Sequence, residues 1–142
     1  MATEWKVQFY TEADGSVPVQ EFLRDSDLTP GELKQFQTRF GYIQQMGLSI
    51  LGQRADILET LEGEAAKGIY SLRCPNTPNN PRILLCTLVG QNFVLLHGFK
   101  EQNGRDYDAA IKVAARRKKA LNKAEEVKQQ VEAEQQKGRR KR

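Results

Sequence analysis

The first clear periodicity lies at residues 5–10, where Trp5, Val7 and Phe9 alternate with Lys6, Gln8 and Tyr10. That period of two predicts a half-buried strand. Asp14-Gly15 then turns the chain. Ser16 is placed to cap a short helix through Val19, Phe22 and Leu23, with Pro18 in a first turn that has no use for its missing N–H. A longer helix is announced by Thr29-Pro30-Gly31-Glu32, a capping box with proline at the first helical position, and continued by Leu33, Phe36, Phe40 and Ile43. Gly47 is its expected stop.

Beyond Gly52, residues 57–61, 67–74, 82–89 and 92–99 form four runs rich in Ile, Leu and Val, separated by Gly, Pro or Asn. They read as short strands whose brief connections favour antiparallel neighbours. Val89-Gly90-Gln91-Asn92 reads as a hairpin turn, and residues 75–81 as a longer loop whose prolines keep it out of any ladder. From about Arg105 the pattern is helical again, with Ile111, Val113, Ala114 and Ala115. Past Leu121 its apolar side thins to Val127 and Val131 among alanines, so this part is expected to project and to fray into the GRRKR sequence at residues 138–142. One strand, two helices, four strands and a final helix make an α+β chain.

A chain of 142 residues is long enough for one core without a disulfide framework. Cys74 and Cys86 sit in strand-like runs with no CxxC and a single histidine in the chain, so they are expected to be reduced core thiols rather than metal ligands or a redox pair. The N-terminal residues lack the apolar stretch of a signal, and no run of about eighteen apolar residues occurs anywhere. A soluble, cytoplasmic protein with no membrane partner is the expectation. The net charge of +4 hides a division: residues 105–142 hold 13 Lys and Arg against 6 Asp and Glu, whereas residues 1–104 hold 9 against 12. Such a basic C-terminal part suits a nucleic-acid or ribosome partner, because phosphate contacts release counterions, and it also suits a solubilising terminus.

Candidate chemistry gathers near the sequence FVLLHGFK, residues 93–100. Its apolar run is expected to build the sheet centre, Gly98 to let the chain leave it, and His97 with Lys100 to stand at the rim. A lone histidine at a strand end is more often a satisfied structural imidazole than a catalyst. More informative is that Arg73, Arg82 and Lys100 all fall on or beside the last three strands. Converging at one edge of the sheet, they would stabilise the negative charge that builds on a scissile phosphate, and the 2′-hydroxyl of RNA could attack without a metal. His97, Lys100 and Tyr107 are the candidates for moving the protons. The plainer alternative pairs Arg73 and Arg82 with Glu59, Glu62 or Glu64 as exposed sheet residues. No Gly-rich phosphate loop and no GxSxG occurs, which disfavours nucleotide-binding and serine-hydrolase chemistry.

The element order, with WKVQFYTEADGSVPVQEFL at the start, LG, LETLEG and GIYSLR in the middle and RILLCTLVGQNFVLLHGFK at the end, resembles the phage-derived HigB-like toxins of the RelE/ParE superfamily over residues 4–115. The resemblance implies a small antiparallel sheet, mixed at the N-terminal strand and packed against two N-terminal helices, with a C-terminal helix and basic tail. The toxin domain would occupy residues 1–118 and a helical to disordered basic extension residues 119–142. It implies a type II toxin-antitoxin toxin acting as an mRNA interferase on the ribosome, without metal or other cofactor, and neutralised by a cognate antitoxin, often of the helix-turn-helix type. By position it assigns catalysis to Arg82, His97, Lys100 and Tyr107 and RNA contact to Arg73; Arg105, Arg116 and Arg117 of the basic C-terminal part are further candidates for RNA contact. The text KEQNGRDYDAA from Lys100 departs from the family's lysine-rich run, setting Glu101, Asp106 and Asp108 among Lys100 and Arg105. That departure supports one alternative, a binding protein of this fold that has lost cleavage; a ParE-like gyrase inhibitor is a third reading.

Overall fold

The computed structural model describes residues 4–88 and 91–140, apart from the side chains of residues 129 and 136–140. Its elements are β1 (Lys6–Phe9), α1 (Pro18–Asp25), α2 (Pro30–Met46), a 3₁₀ turn (Gly47–Gly52), β2 (Leu58–Thr60), a second 3₁₀ turn (Glu64–Ala66), β3 (Tyr70–Arg73), β4 (Pro81–Leu88), β5 (Asn92–Lys100) and α3 (Gly104–Arg140). The five strands form one sheet in the order β1-β5-β4-β3-β2. β1 runs parallel to β5, and the other neighbours are antiparallel. This is the α+β chain that the residue patterns predict, with the mixed sheet that the family resemblance implies.

Both faces of the sheet are covered, which explains why β4 reads as an unbroken apolar run rather than an alternating one. On one face Leu58, Leu72, Ile83, Leu85, Phe93 and Leu95 pack with Val19, Phe36, Ile43 and Ile50 from the N-terminal helices and the first 3₁₀ turn. On the other, Leu84, Cys86, Val94 and Leu96 pack with Ile69, Tyr10 and the small side chains Ala110 and Ala114 of α3. Cys74 belongs to the first cluster and Cys86 to the second. The two thiols are therefore free and on opposite faces, each pushed up to about 11 by burial.

The capping box at the start of α2 forms as its sequence predicts: Thr29 Oγ1 accepts from the Glu32 N–H, and Glu32 Oε1 accepts from the Thr29 N–H. Glu32 does more than cap. Its carboxylate also accepts from the backbone N–H and the side-chain amide of Asn79, at 2.9 and 2.6 Å, and so ties the loop before β4 to the helix. Burial raises the Glu32 pKa, but these donors outweigh it and hold the carboxyl at about 2. α2 ends at Gly47, whose φ of 59° lies in the left-handed region and whose missing Cβ leaves room for the Trp5 indole.

Several local expectations are corrected. α1 is capped at Val17 without a side-chain bond, because Ser16 serves the preceding turn, where its N–H donates to Asp14 Oδ1. Pro81 opens β4 instead of ending the loop, a first-residue position at which proline is tolerated. Gly98 does not release the chain: β5 continues to Lys100, and a Cβ at residue 98 would come within 2.3 Å of the Phe22 ring, so the glycine admits α1 against the sheet. The expected fraying is not seen, since the backbone is helical through Arg140; Lys141 and Arg142 lie outside the described residues, as do Val89 and Gly90 of the expected hairpin turn. Val127 and Val131 are exposed, as a projecting segment requires. Among the described residues no helix is long and apolar enough to cross a membrane.

Replacing Gly98 by Ala is expected to overpack the α1 contact and cost about 1–3 kcal/mol in urea unfolding, with a compensating Phe22→Leu change recovering part of it. Glu32→Ala is expected to cost about 2–3 kcal/mol near neutral pH. Because the folded carboxyl sits below its ordinary value of 4.5, that difference should be present above about pH 4.5 and shrink as the pH falls toward 2. Unfolding midpoints measured for both proteins across that range test the sign.

Candidate nucleic-acid interface

The register brings Arg73 opposite Arg82 on neighbouring strands, and cross-strand partners share a face. That face is the one covered by α3, because Arg82 stands two residues from Leu84, which packs there. Beside them lie Phe99, opposite Arg82, and Ser71, opposite Leu84. Tyr107 reaches over the group from the first turn of α3. Its hydroxyl is 3.0 Å from Ser71 Oγ, its ring meets Phe99 edge-on at 5.1 Å between centroids, and the Arg82 guanidinium carbon lies 5.8 Å from its centroid.

Two carboxylates face the two guanidinium groups. Glu59 of β2 is 3.3 Å from Arg73, and Glu101, just past β5, is 2.7 Å from Arg82. Arg73 thus takes one of the glutamate partners that the plainer sequence reading offered, whereas Arg82 takes a different one. Arg82 is only 5% exposed. Even so, its Nε and Nη1 and the Nε of Arg73 are buried without an acceptor. Unpaired buried donors are costly, and here three belong to adjacent cations.

The start of α3 is held by reciprocal side-chain caps, unrecognised in the sequence because they use Asn and Asp. Asn103 Oδ1 accepts from the Arg105 N–H, and Asp106 Oδ2 accepts from the N–H groups of Gln102 and Asn103. This fixes where Tyr107 stands. Burial, with the nearby Glu59 and Glu101, raises the Tyr107 pKa above its ordinary value of 10.0 despite the Ser71 hydrogen bond and Arg82, so the phenol keeps its proton at neutral pH.

Lys100 does not join the cluster. It pairs with Pro81, one step out of phase with Arg82, and so belongs to the opposite face. A bulge is responsible: β5 pairs Leu95 with Leu85 but His97 with Leu84, so Leu96 is skipped. Strict alternation from Val94 and Leu96 would have put Lys100 beside Arg82; the extra residue exchanges the faces of everything after it.

His97 lies one layer away, with its ring stacked on Phe99 at 6.2 Å between centroids. Its Nδ1 is 3.3 Å from Arg117 Nη1, and since a guanidinium can only donate, Nδ1 is the acceptor and the ring proton is on Nε2. Burial first and the Arg117 charge second depress its pKa to about 4, so the imidazole is neutral and a poor proton donor at pH 7. Arg117 itself is turned inward. It donates to Glu12 Oε1 and to the Leu96 carbonyl, both at 2.8 Å, and lies over the Tyr10 ring. Arg105 and Arg116 are exposed on α3. Among the described residues no three His, Cys, Asp or Glu side chains are grouped to hold a metal.

The assembled cluster is therefore Arg73, Arg82 and Tyr107 with Glu59, the partner that the plainer reading offered, and with Ser71 and Glu101 added as site residues. Ser71 could have been found from its position two residues before Arg73, which puts both on one face of a strand.

A protein-family model described as Phage derived protein Gp49-like (DUF891) matches residues 27–119, close to two thirds of the chain. That span holds every residue of the cluster. No curated protein matches the sequence.

The His97 environment has a measurable consequence. Its folded pKa lies below the usual 6.5, so the unfolded chain binds the extra proton first, and stability should fall as the pH drops from about 6.5 toward 4. With allowance for partial exposure the loss is on the order of 1–2 kcal/mol. Urea unfolding of the wild type and His97→Gln at pH 7 and pH 4.5 should show the gap between them narrowing or reversing on acidification.

Proposed function

The chain belongs to the phage-derived Gp49-like family of RelE/ParE-like toxins, and we propose that it acts as a HigB-like toxin that cleaves mRNA on the ribosome. The observation carrying this reading is the juxtaposition of Arg73 and Arg82 on one sheet face, with three buried guanidinium N–H groups lacking an acceptor. A phosphodiester offers two non-bridging oxygens to such a fork, and the charge on those oxygens grows as a fifth oxygen approaches phosphorus.

In the proposed reaction the 2′-hydroxyl of the substrate attacks the adjacent phosphorus, the P–O5′ bond breaks, and a 2′,3′-cyclic phosphate results. Arg73 and Arg82 bear the transition-state charge. Tyr107, protonated and anchored by Ser71, supplies the proton to the leaving 5′-oxygen. The 2′ proton passes to the Glu59 carboxylate, which stands on the outer strand beside Arg73. His97 and Lys100 take no direct part, since one is neutral behind Phe99 and the other faces away. Arg105, Arg116 and the other exposed cations of α3 supply sequence-independent attraction to RNA. A helix-turn-helix antitoxin remains the partner proposed from the family likeness, and the cytoplasm the proposed location.

Purified protein added to ribosomes carrying a defined message should produce fragments ending in a cyclic phosphate. Arg82→Ala should slow cutting by about a hundredfold or more and Tyr107→Phe by about tenfold to a hundredfold, with circular dichroism unchanged. Intact message in the presence of folded wild-type protein rejects cleavage and favours the binding-only alternative; broken DNA with intact message on induction favours a gyrase inhibitor.

A further inference from the structure

The site as it stands is closed. Arg82 is 5% exposed, its Nη2 is held by Glu101 at 2.7 Å, and Tyr107 covers it from above. A phosphate cannot reach this guanidinium unless something leaves. We propose that Glu101 is the gate: its carboxylate occupies the place of a phosphate oxygen on Arg82, and substrate enters by exchanging with it. The proposal rests on the reading of Arg82 as the phosphate-binding cation.

Three observations support the exchange. First, the pairing at Arg82 is incomplete. Glu101 satisfies Nη2 while Nε and Nη1 stay without acceptors, so the cation binds its own carboxylate at one corner only. A buried ion pair of this kind gains little over its desolvation cost, whereas a bidentate phosphate contact would satisfy more donors. Second, a carboxylate and a phosphodiester each carry one negative charge, so the swap leaves the local balance at Arg73 and Arg82 unchanged. Arg82 is paired both before and after the exchange.

Third, Glu101 is held by a clamp that can let go. Its N–H donates to the Asn80 carbonyl, and Asn80 Nδ2 donates to the Glu101 carbonyl and to Oε2 at 3.3 and 3.4 Å, at the long end for hydrogen bonds. Asn80 itself sits at a φ of 45°, in the left-handed region that a non-glycine residue adopts at some cost. Glu101 also lies in the three-residue link between Lys100 at the end of β5 and Gly104 at the start of α3. Moving it moves the turn that carries Tyr107, so the cover and the plug would leave together.

The gate lowers apparent affinity for RNA by the fraction of molecules that are open. Glu101→Gln keeps the shape of the side chain and removes the charge that competes with phosphate. Its effect can be read without cleavage, from the rate at which phenylglyoxal modifies Arg82, followed by peptide mass spectrometry. Relative to the wild type, Glu101→Gln should raise that rate about tenfold and Asn80→Ala by a smaller factor, and a short RNA with a 2′-deoxy substitution at the cut site should protect Arg82 in both. Thermal melts confirm that each variant is folded, and Asn80→Ala serves in place of Glu101→Gln should the latter not fold. Equal, slow modification in wild type and folded variants overturns the gate, as does fast modification that the RNA does not suppress. Uncut message alongside RNA protection of Arg82 in the variants would reject the nuclease reading and leave the gate standing.

Discussion

A guanidinium placed in a sheet that is covered on both faces must find an opposite charge within the chain, and Arg82 finds it at Glu101. Much of the architecture follows from accommodating that pair. β4 and β5 are apolar along nearly their whole shared length, and Arg73 and Arg82 stand where α3 begins. The same end receives the Tyr107 ring, the Ser71 hydroxyl and the two capping residues Asn103 and Asp106. Polar chemistry is concentrated there because the rest of the sheet has no room for it.

Further along α3, the molecule is fastened by Arg117. One side chain of α3 joins two other pieces of chain: the loop after β1 through Glu12, and the bulge of β5 through the Leu96 carbonyl and Nδ1 of the adjacent His97. The carbonyl it reaches belongs to the bulged residue, whose backbone group has left the regular ladder, so the arginine repairs a defect in pairing while anchoring the helix. An assignment of Arg117 to RNA contact treats it as one cation in a basic run, and the run is not uniform: Arg116, its neighbour, points to solvent.

What was legible in the sequence was what depends on local spacing. The Thr29–Glu32 capping box, the stop at Gly47 and the succession of strands and helices along the chain follow from short patterns with one physical meaning, whereas the mixed pairing of β1 was implied by the family resemblance. What was not legible depends on parity and on partners distant in the chain. Lys100 looked like a companion of Arg82 because both fall on or beside the last three strands, and one skipped residue, Leu96, decides that they face opposite ways. Gly98 read as a chain break because nothing in its neighbourhood announces that Phe22, from α1, needs the space. Glu101 read as a diluting charge in an altered segment, while its role comes from standing against a strand that precedes it by almost twenty residues. The likeness to a toxin family indicated which arginines to examine, but the bulge decided which of the cations share a face.

α3 is a single helix from Gly104 to Arg140, and at 1.5 Å per residue it is about 55 Å long. Arg117 pins it roughly 15 Å from Tyr107, with about 35 Å extending beyond the pin. Mechanically this is a lever with its fulcrum near one end. The far arm is about twice the length of the near one, so a force on the projecting segment bears on the Tyr107 end of the helix with a ratio of about two to one.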